Sequence, residues 1–247
     1  MDRALYIAMS GAKHNMQAQA IHANNLANVS TQGFKADFAQ ARSMGVYYGE
    51  GYASRAYAGV ESPAIDFAQG TAMATNRELD IALENKGFIA IQNPDGSESY
   101  TRNGSLFVDS LGMLKTGNNL PVIGDGGPIL VPEHEKIEIA VDGTISVAIK
   151  GEAPSGLTEI GRIKLVNPEL EAMVKGSDGL FRMKDNSLAV ADASVRVTPG
   201  FLESSNVKAI NELTDILSLA RQYELQVKLM QTVDENSQTS ARLLQIS

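Results

Sequence analysis

The chain has 247 residues, and 43% of them are hydrophobic, which suits one or two packed domains. Its 21 basic and 29 acidic side chains give a formal net charge of −8, an acidic balance that argues against a nucleic-acid partner. No run of about 18 apolar residues could span a membrane, the first residues lack the apolar segment of a cleaved secretory signal, and the absence of cysteine excludes disulfides and thiolate metal sites.

An amphipathic helix is predicted within residues 1–34. Its apolar side chains recur at steps of three and four, which is the period of one helical face. The positions on this face are Leu5, Met9, Ala12, Met16, Ala20, Ala23 and Ala27. Because most of these side chains are alanine, a partner helix could approach closely. Gly33 and Phe34 end the pattern.

Residues 35–78 are predicted to connect this helix to the next domain. The segment around Tyr47 and Tyr57 is apolar, yet it is rich in glycine, alanine and serine and has no helical or strand period. We interpret it as an extended arm or an irregular hairpin.

A mostly antiparallel β-domain is predicted over residues 79–198. Segments that cluster or alternate β-branched and aromatic side chains are residues 88–92, 105–109, 137–141, 144–149 and 162–166. Asp-Gly and Asn-Gly dipeptides, which are typical of turns, occur between the segments. One such linker, Asp142-Gly143, predicts a two-residue hairpin with a type I′ turn.

A second, longer helix is predicted within residues 199–247. Its stripe spans 34 residues in ten steps, an average of 3.4 that is close to the 3.5 of a coiled-coil seam. The stripe consists of Ile210, Leu213, Leu217, Ala220, Tyr223, Val227, Met230, Val233, Ser237, Ala241 and Leu244. Ser204 or Ser205 is predicted to cap the helix, which would extend roughly 60 Å.

The predicted fold class is therefore α+β, with a coiled-coil-like core layer of two terminal helices and an antiparallel β-domain inserted between them. A helix of about 60 Å is too long for a compact domain of this size to cover. We expect both terminal helices to be only marginally stable in a monomer. In an assembly, neighbouring subunits would cover the helix faces that the monomer leaves exposed and would stabilise the helices.

Few residues indicate catalysis or ligand binding. The glycine-rich residues 124–127 lack the Gly-Lys-Ser/Thr of a phosphate-binding loop, so we interpret them as a turn. The Glu-His-Glu of residues 133–135 would alternate sides in a strand and could not converge on a metal. His14 and His22 have no acidic partner on their own helix face, so we expect a solvated or subunit-contact role. We expect no catalytic residue, metal or cofactor.

Three blocks of sequence closely resemble the bacterial flagellar axial proteins, the rod and hook family. They are ANNLANVSTQGFK at residues 23–35, ELDIALENKGFI at 78–89 with YTRNGSL at 100–106, and GFLESSNV at 200–207. The resemblance implies a structural subunit of the basal-body rod, the drive shaft that crosses the periplasm and transmits torque from motor to hook. It implies as partners other rod proteins, copies of the chain itself and the flagellar type III export apparatus, with no small-molecule substrate.

Within that family, the first six residues and the length are most similar to the proximal rod subunits. The distal rod subunits share most of the motifs and are the alternative. Alternatives from other classes are a β-rich enzyme that acts on carbohydrate and a secreted adhesin.

The resemblance also assigns expected roles to individual residues, with the helices in an inner layer and residues 79–198 in an outer one. Packing contacts between subunits are expected at Leu5, Met9, Met16, Leu26, Ile210, Leu213, Leu217, Val227, Met230 and Leu244. Hydrogen bonds between helices are expected at Asn24, Asn25, Asn28 and Asn206. Phe34 and Phe38 fit the Phe-x-x-x-hydrophobic pattern of an export signal.

Overall fold

A computed structural model describes residues 3–38, 41–47, 55–60, 64–149 and 156–245. The chain forms two compact units. The helical unit contains Met1–Val29, Lys35–Phe67 and Val207–Ser247, and the β-rich unit contains Ser30–Phe34 and Ala68–Asn206. The predicted α+β class, with a helix at each end and a mostly antiparallel middle, is confirmed. Within the described ranges, neither helix has a stretch long and apolar enough to cross a membrane.

The helical unit contains α1, Arg3–Ala27, and α2, Ala209–Gln245. The 37 residues of α2 extend about 55 Å at 1.5 Å per residue. The prediction that Ser204 or Ser205 caps this helix is wrong, because α2 begins four residues after Ser205. The Ser204 hydroxyl instead accepts the Thr71 N–H at 3.0 Å.

The two helices run antiparallel. His22 of α1 is bonded to Glu212 near the start of α2, whereas a Cβ on Gly11 would lie 3.0 Å from Gln226, further along α2. Residues nearer the N-terminus of α1 therefore lie beside residues nearer the C-terminus of α2. The buried side chains of α1 include the small Ala8, Ala12 and Ala18, which allow close approach.

The connector contains short antiparallel strands that belong to the helical unit. Their bounds are β1, Asp37–Phe38; β2, Ala41–Val46; β3, Arg55–Val60; and β4, Ala64–Ile65. Strand β1 pairs with β4, β2 pairs with β3, and β3 packs against α1. The interpretation of residues 35–78 also covers 39–40, 48–54 and 61–63, which lie outside the described residues.

The β-rich unit is built from short strands. They are β5, Ala72–Ala74; β6, Ile81–Leu83; β7, Phe88–Gln92; β8, Glu98–Thr101; β9, Leu106–Val108; β10, Leu114–Thr116; β11, Ile123–Gly124; β12, Gly127–Pro128; β13, His134–Ile139; β14, Thr144–Ile149; β15, Thr158–Arg162; β16, Leu165–Val166; β17, Met173–Lys175; β18, Phe181–Met183; β19, Val197–Pro199; and β20, Phe201–Glu203. A 3₁₀ turn at Leu170–Ala172 precedes β17.

The largest sheet of this unit has the order β16-β7-β8-β18-β17, and a three-stranded sheet has the order β13-β14-β15. Their inner faces share one aliphatic core, in which Ile89, Leu114 and Ile145 are fully buried. The predicted strands at residues 88–92 and 144–149 are confirmed with the same bounds. The single strand predicted over residues 162–166 is wrong, because the chain leaves one sheet after Arg162 and joins the other at Leu165.

The hairpin between β13 and β14 exists, but its predicted type I′ turn is wrong. A type I′ turn needs positive φ at both central residues, and only Gly143, with φ of 85°, has it. The Gly143 N–H donates to Ala140 O and the Ala140 N–H to Thr144 O, which leaves a three-residue loop with Gly143 as its bulge. The Asp142 carboxylate accepts the N–H and hydroxyl of Thr144, and these bonds lower the pKa of Asp142.

Truncation of the aliphatic core tests this packing. We expect Leu114→Ala to lower the free energy of unfolding of the β-rich unit by about 2–5 kcal/mol, since the fully buried side chain leaves a cavity. Leu111→Ala is the control, because Leu111 is 80% exposed and its loss should cost less than about 0.5 kcal/mol. Urea unfolding followed by near-UV circular dichroism measures both; equal losses would contradict the assigned core.

A second prediction concerns Tyr100 of β8, one of seven tyrosines in the chain. Its hydroxyl accepts the Ala189 N–H at 2.7 Å, and burial raises its pKa from 10.0 to about 12. The stability that this tyrosine contributes is complete below pH 10 and is lost as the pH rises through about 12. A phenolate absorbance titration should show a late step that Tyr100→Phe removes; identical titrations would refute the assignment.

Candidate functional site

The three motif blocks meet at one place in the β-rich unit, which we call the motif junction: Gly33, Phe34, Arg102, Glu203 and Asn206. The Gly33 N–H donates to Glu203 O at 2.8 Å. Gly33 has φ of 67°, and a Cβ on it would lie 2.4 Å from the Arg102 carbonyl carbon. Only glycine fits here, because it accepts the left-handed backbone and has no side chain to clash.

A buried ion pair lies at the centre of the motif junction. Arg102 and Glu203 are 4% and 3% exposed, and Arg102 Nε donates to Glu203 Oε2 at 2.7 Å. The other two guanidinium nitrogens, Nη1 and Nη2, donate to the carbonyls of Gly87, at 2.8 Å, and Asn85, at 3.0 Å. The other Glu203 oxygen accepts the Gly70 N–H at 2.9 Å. Both charges are therefore satisfied, as buried charges must be.

Phe34, half of the predicted export signal, is buried at the motif junction. Its carbonyl accepts the Asn206 N–H, and Lys175 Nζ lies 3.8 Å from its ring centroid, which is a cation–π contact. Phe38 belongs to β1 of the helical unit and is 44% exposed. In the folded chain the Phe34 side chain therefore packs within the β-rich unit.

The predicted packing residues of α1 lie mostly away from α2. Met9 and Met16 are exposed, at 50% and 56%, while Leu5 and Leu26 are half-buried. The buried face of α1 is a neighbouring one, lined by Ala8, Ala12, Asn15, Ala18 and Asn25. The predicted stripe shares only Ala12 with this face, because its register followed Leu5, Met9 and Met16. Ala8 and Ala18 were the available signal for the face that is buried.

The predicted stripe of α2 divides into two parts. Ile210, Leu213 and Leu217, which we call the N-terminal stripe, are exposed at 79%, 49% and 62%. Val227 and Met230, further along, are half-buried. The side chain of Leu244 lies outside the described residues. The helix pair therefore covers the middle of α2 and leaves the first large apolar side chains in solvent.

Three of the asparagines expected to join helices bond to nearby backbone groups within the chain. Asn25, which is 1% exposed, donates to Asp37 O at 2.7 Å and accepts the Asp37 N–H at 3.0 Å. Asn28 Nδ2 donates to Asn24 O within the same helix end, and Asn206 Nδ2 donates to Ala68 O. Within the single chain, these amides therefore bond to nearby backbone groups where helices end and the chain turns. Hydrogen bonds between helices of neighbouring subunits stay a prediction.

His22 also differs from the expectation. Its acidic partner is on the other terminal helix: Nδ1 lies 2.6 Å from Glu212 Oε2. The expected solvated or subunit-contact role assumed no acidic partner, whereas His22 joins α1 to α2 within one chain. A subunit contact at His22 stays a prediction. Long-range pairing between helices has no signal in the spacing along one helix.

Comparison with known proteins agrees with this arrangement. Residues 198–243 match the family described as "Flagellar basal body rod FlgEFG protein C-terminal". Residues 82–147 match "Flagellar hook protein FlgE/F/G D1 domain", and residues 5–35 match "Flagella basal body rod protein". The two helical ends and the β-rich middle thus each match a part of the same class.

The relatives cover the whole chain. The flagellar basal-body rod protein FlgF of Salmonella typhimurium is 42% identical, with both chains covered completely. FlgF of Escherichia coli K12 is 41% identical over the same extent. FlgG of Bacillus subtilis is 30% identical over 95% of this chain and 96% of its own.

These matches, over both terminal helices and the β-rich middle, show that the chain is of the class of flagellar axial proteins. This class is structural, and a rod subunit is not an enzyme. The chain belongs to the flagellar basal-body rod protein family and is FlgF-like. It is therefore a structural subunit of the flagellar basal body, where it contacts other rod components.

The buried ion pair gives a testable prediction. Glu203→Ala should destabilise the β-rich unit by about 3–5 kcal/mol, because Arg102 is left buried without its counter-charge. The double variant Arg102→Met with Glu203→Leu should lower the free energy of unfolding by less than Glu203→Ala does. Asp178→Ala is the control: it breaks a half-exposed pair with Arg182 and should cost at most about 1 kcal/mol. Urea unfolding measures the free energy of unfolding of all three variants. If Asp178→Ala lowers it as much as Glu203→Ala does, the buried pair has no larger role than an exposed one.

Proposed function

We propose that this subunit builds the rod through α1 and α2, which contact neighbouring rod subunits and other copies of the chain. The observation that carries the proposal is the exposure of large apolar side chains on both helices, Met9 and Met16 on α1 and the N-terminal stripe on α2. Burying one large aliphatic side chain fully is worth about 1.5–3 kcal/mol. Neighbouring helices that covered these residues would therefore stabilise the terminal helices.

The proposed contact sites are those predicted from the sequence: Leu5, Met9, Met16, Leu26, Ile210, Leu213, Leu217, Val227, Met230 and Leu244. Those already half-buried in the helix pair would contribute less new burial than the exposed ones. We propose knobs-into-holes, coiled-coil-like packing at these contacts. Close-packed seams resist compression, which suits a shaft that transmits torque.

We also propose a proximal position in the rod. The support is the identity of 42% and 41% to the FlgF of Salmonella typhimurium and of Escherichia coli K12, against 30% to the FlgG of Bacillus subtilis. A distal position is the alternative. The division into residues 1–34, 35–78, 79–198 and 199–247 remains part of this proposal.

Delivery by the flagellar type III export apparatus is a further part of the proposal. Phe34 and Phe38 would be the recognised pair. Because Phe34 is buried once the chain has folded, the apparatus would read the signal on the unfolded chain.

A charge on the N-terminal stripe tests the assembly proposal. Leu217→Asp should leave the isolated subunit folded, since Leu217 is 62% exposed, and should remove the subunit from basal bodies by introducing an unpaired charge at a contact. Circular dichroism checks folding, and immunoblots of isolated basal bodies check incorporation.

Gln222→Asp is the matched control, because the added charge is on an exposed residue on the far side of the same helix. It should preserve incorporation and swimming. Rods with normal amounts of the Leu217→Asp subunit would rule out the stripe as a contact.

A further inference from the structure

Four Asp-Gly pairs in the β-rich unit share one sequence feature but differ in their surroundings. In such a pair the glycine nitrogen can attack the side-chain carboxyl carbon of the aspartate, because glycine has no side chain to hinder the approach. The pairs are Asp95-Gly96, Asp125-Gly126, Asp142-Gly143 and Asp178-Gly179. Each lies in a turn between two strands. The dipeptide alone therefore ranks all four equally, and only the fold distinguishes them.

The attacking nitrogen is held in place in three of the pairs. The N–H of each glycine donates to a main-chain carbonyl earlier in the turn, so the nitrogen cannot rotate toward the carboxyl group without losing this bond. These bonds run from Gly96 to Asn93 O at 2.9 Å, from Gly143 to Ala140 O at 2.9 Å and from Gly179 to Gly176 O at 3.1 Å. Within the part of the chain that the structure describes, the Gly126 N–H donates no hydrogen bond.

The carboxyl groups divide in the same way. Donors two to four residues further along the chain bind three of them: Ser97 binds Asp95, Thr144 binds Asp142, and Arg182 binds Asp178. These bonds lower the pKa of the three carboxyl groups. The uncharged acid, from which water leaves more readily, is therefore scarcer there at neutral pH. Asp125 is exposed, and no described residue donates to its carboxylate.

The one Asn-Gly pair in the sequence, Asn103-Gly104, is protected by packing. Asparagine undergoes the same ring closure with loss of ammonia, and it reacts faster than aspartate in an unstructured peptide. Here the Asn103 Oδ1 accepts the Ser105 N–H at 3.0 Å, and a Cβ on the buried Gly104 would lie 1.7 Å from Ile81 O. A main chain packed this closely cannot rotate to bring the Gly104 nitrogen to the side chain.

We propose that Asp125 is a site of spontaneous isomerisation, at which the folded subunit acquires an isoaspartate before it does so at any other Asp-Gly pair. The Gly126 nitrogen forms a bond to Asp125 Cγ, and its proton leaves with the carboxyl hydroxyl as water. Water then opens the cyclic imide at the former main-chain carbonyl, which leaves the chain linked through Cγ. One water is lost and one is gained, so the mass is unchanged. This chemistry is independent of the proposed assembly contacts.

The modification changes a turn that has no spare residues. Asp125 and Gly126 alone connect β11 to β12. The Asp125 N–H donates to Arg162 O at 3.3 Å, and Ile129, directly after β12, belongs to the aliphatic core. An isoaspartate adds one carbon atom to the main chain at this point. The site therefore lies where a small covalent change alters the geometry of a hairpin beside the core.

Ageing of the purified full-length chain tests the inference. The folded chain is incubated at neutral pH, and isoaspartate is then located by chromatography of its peptides and by their resistance to endoproteinase Asp-N. We expect roughly tenfold more isoaspartate at Asp125 than at Asp95, Asp142 or Asp178, because two hydrogen bonds must first break at each of those pairs. In concentrated urea the four levels should converge, since unfolding removes the bonds that distinguish them.

Gly126→Ala is the matched variant. The backbone of Gly126 is not in the left-handed region, and a Cβ there would meet nothing within 4 Å, so the fold accepts alanine. Its methyl group should slow ring closure at Asp125 several-fold. An unchanged isoaspartate level in this variant would overturn the inference. So would a folded chain in which another Asp-Gly pair, or Asn103, reacts as fast as Asp125.

Discussion

The close approach of α1 and α2 through small side chains determines how the remaining apolar surface is distributed. Alanines line the buried face of α1, and Gly11 leaves room for Gln226. A small-residue face saves space, but it buries little apolar area per residue. The larger side chains, Met9 and Met16 among them, are consequently left on the other faces. The helix pair is held by this close fit and by the His22–Glu212 contact, while Met9, Met16 and the N-terminal stripe remain exposed within one subunit.

The motif junction applies a different constraint to the β-rich unit. A buried ion pair is weak evidence for stability, because the cost of desolvation offsets much of the attraction. Here the pair also bonds to backbone groups from other parts of the unit: Arg102 donates to the carbonyl of Gly87, and the Glu203 carboxylate accepts the N–H of Gly70. The Glu203 carbonyl accepts the N–H of Gly33. Gly33, Arg102 and Glu203, one from each of the three resembling blocks, are thus explained by shape and by hydrogen bonding at one buried place. The resemblance and the physical account concern the same residues.

Much of the fold follows from local pattern. Helical periodicity indicated α1 and α2, and strand composition gave β7 and β14 their bounds. The wrong predictions concern features that depend on residues distant in the sequence. The bulge at Gly143, the break between β15 and β16 and the partner of His22 all depend on what the rest of the chain offers. The same holds for Asn25, whose amide is bonded to Asp37 rather than to a helix. The ion pair at the junction had no signal in spacing, because its members belong to different motif blocks.

The bond between Gly33 and Glu203 has a consequence for the order in which the chain becomes structured. Almost the entire β-rich unit lies between these two residues in the sequence, so the contact has a high entropic cost of loop closure and is slow to form. A chain that emerged from a narrow conduit, with either end leading, could not close this bond until both residues were outside. Closure of the β-rich unit at this bond therefore requires nearly the whole of its sequence to be available first.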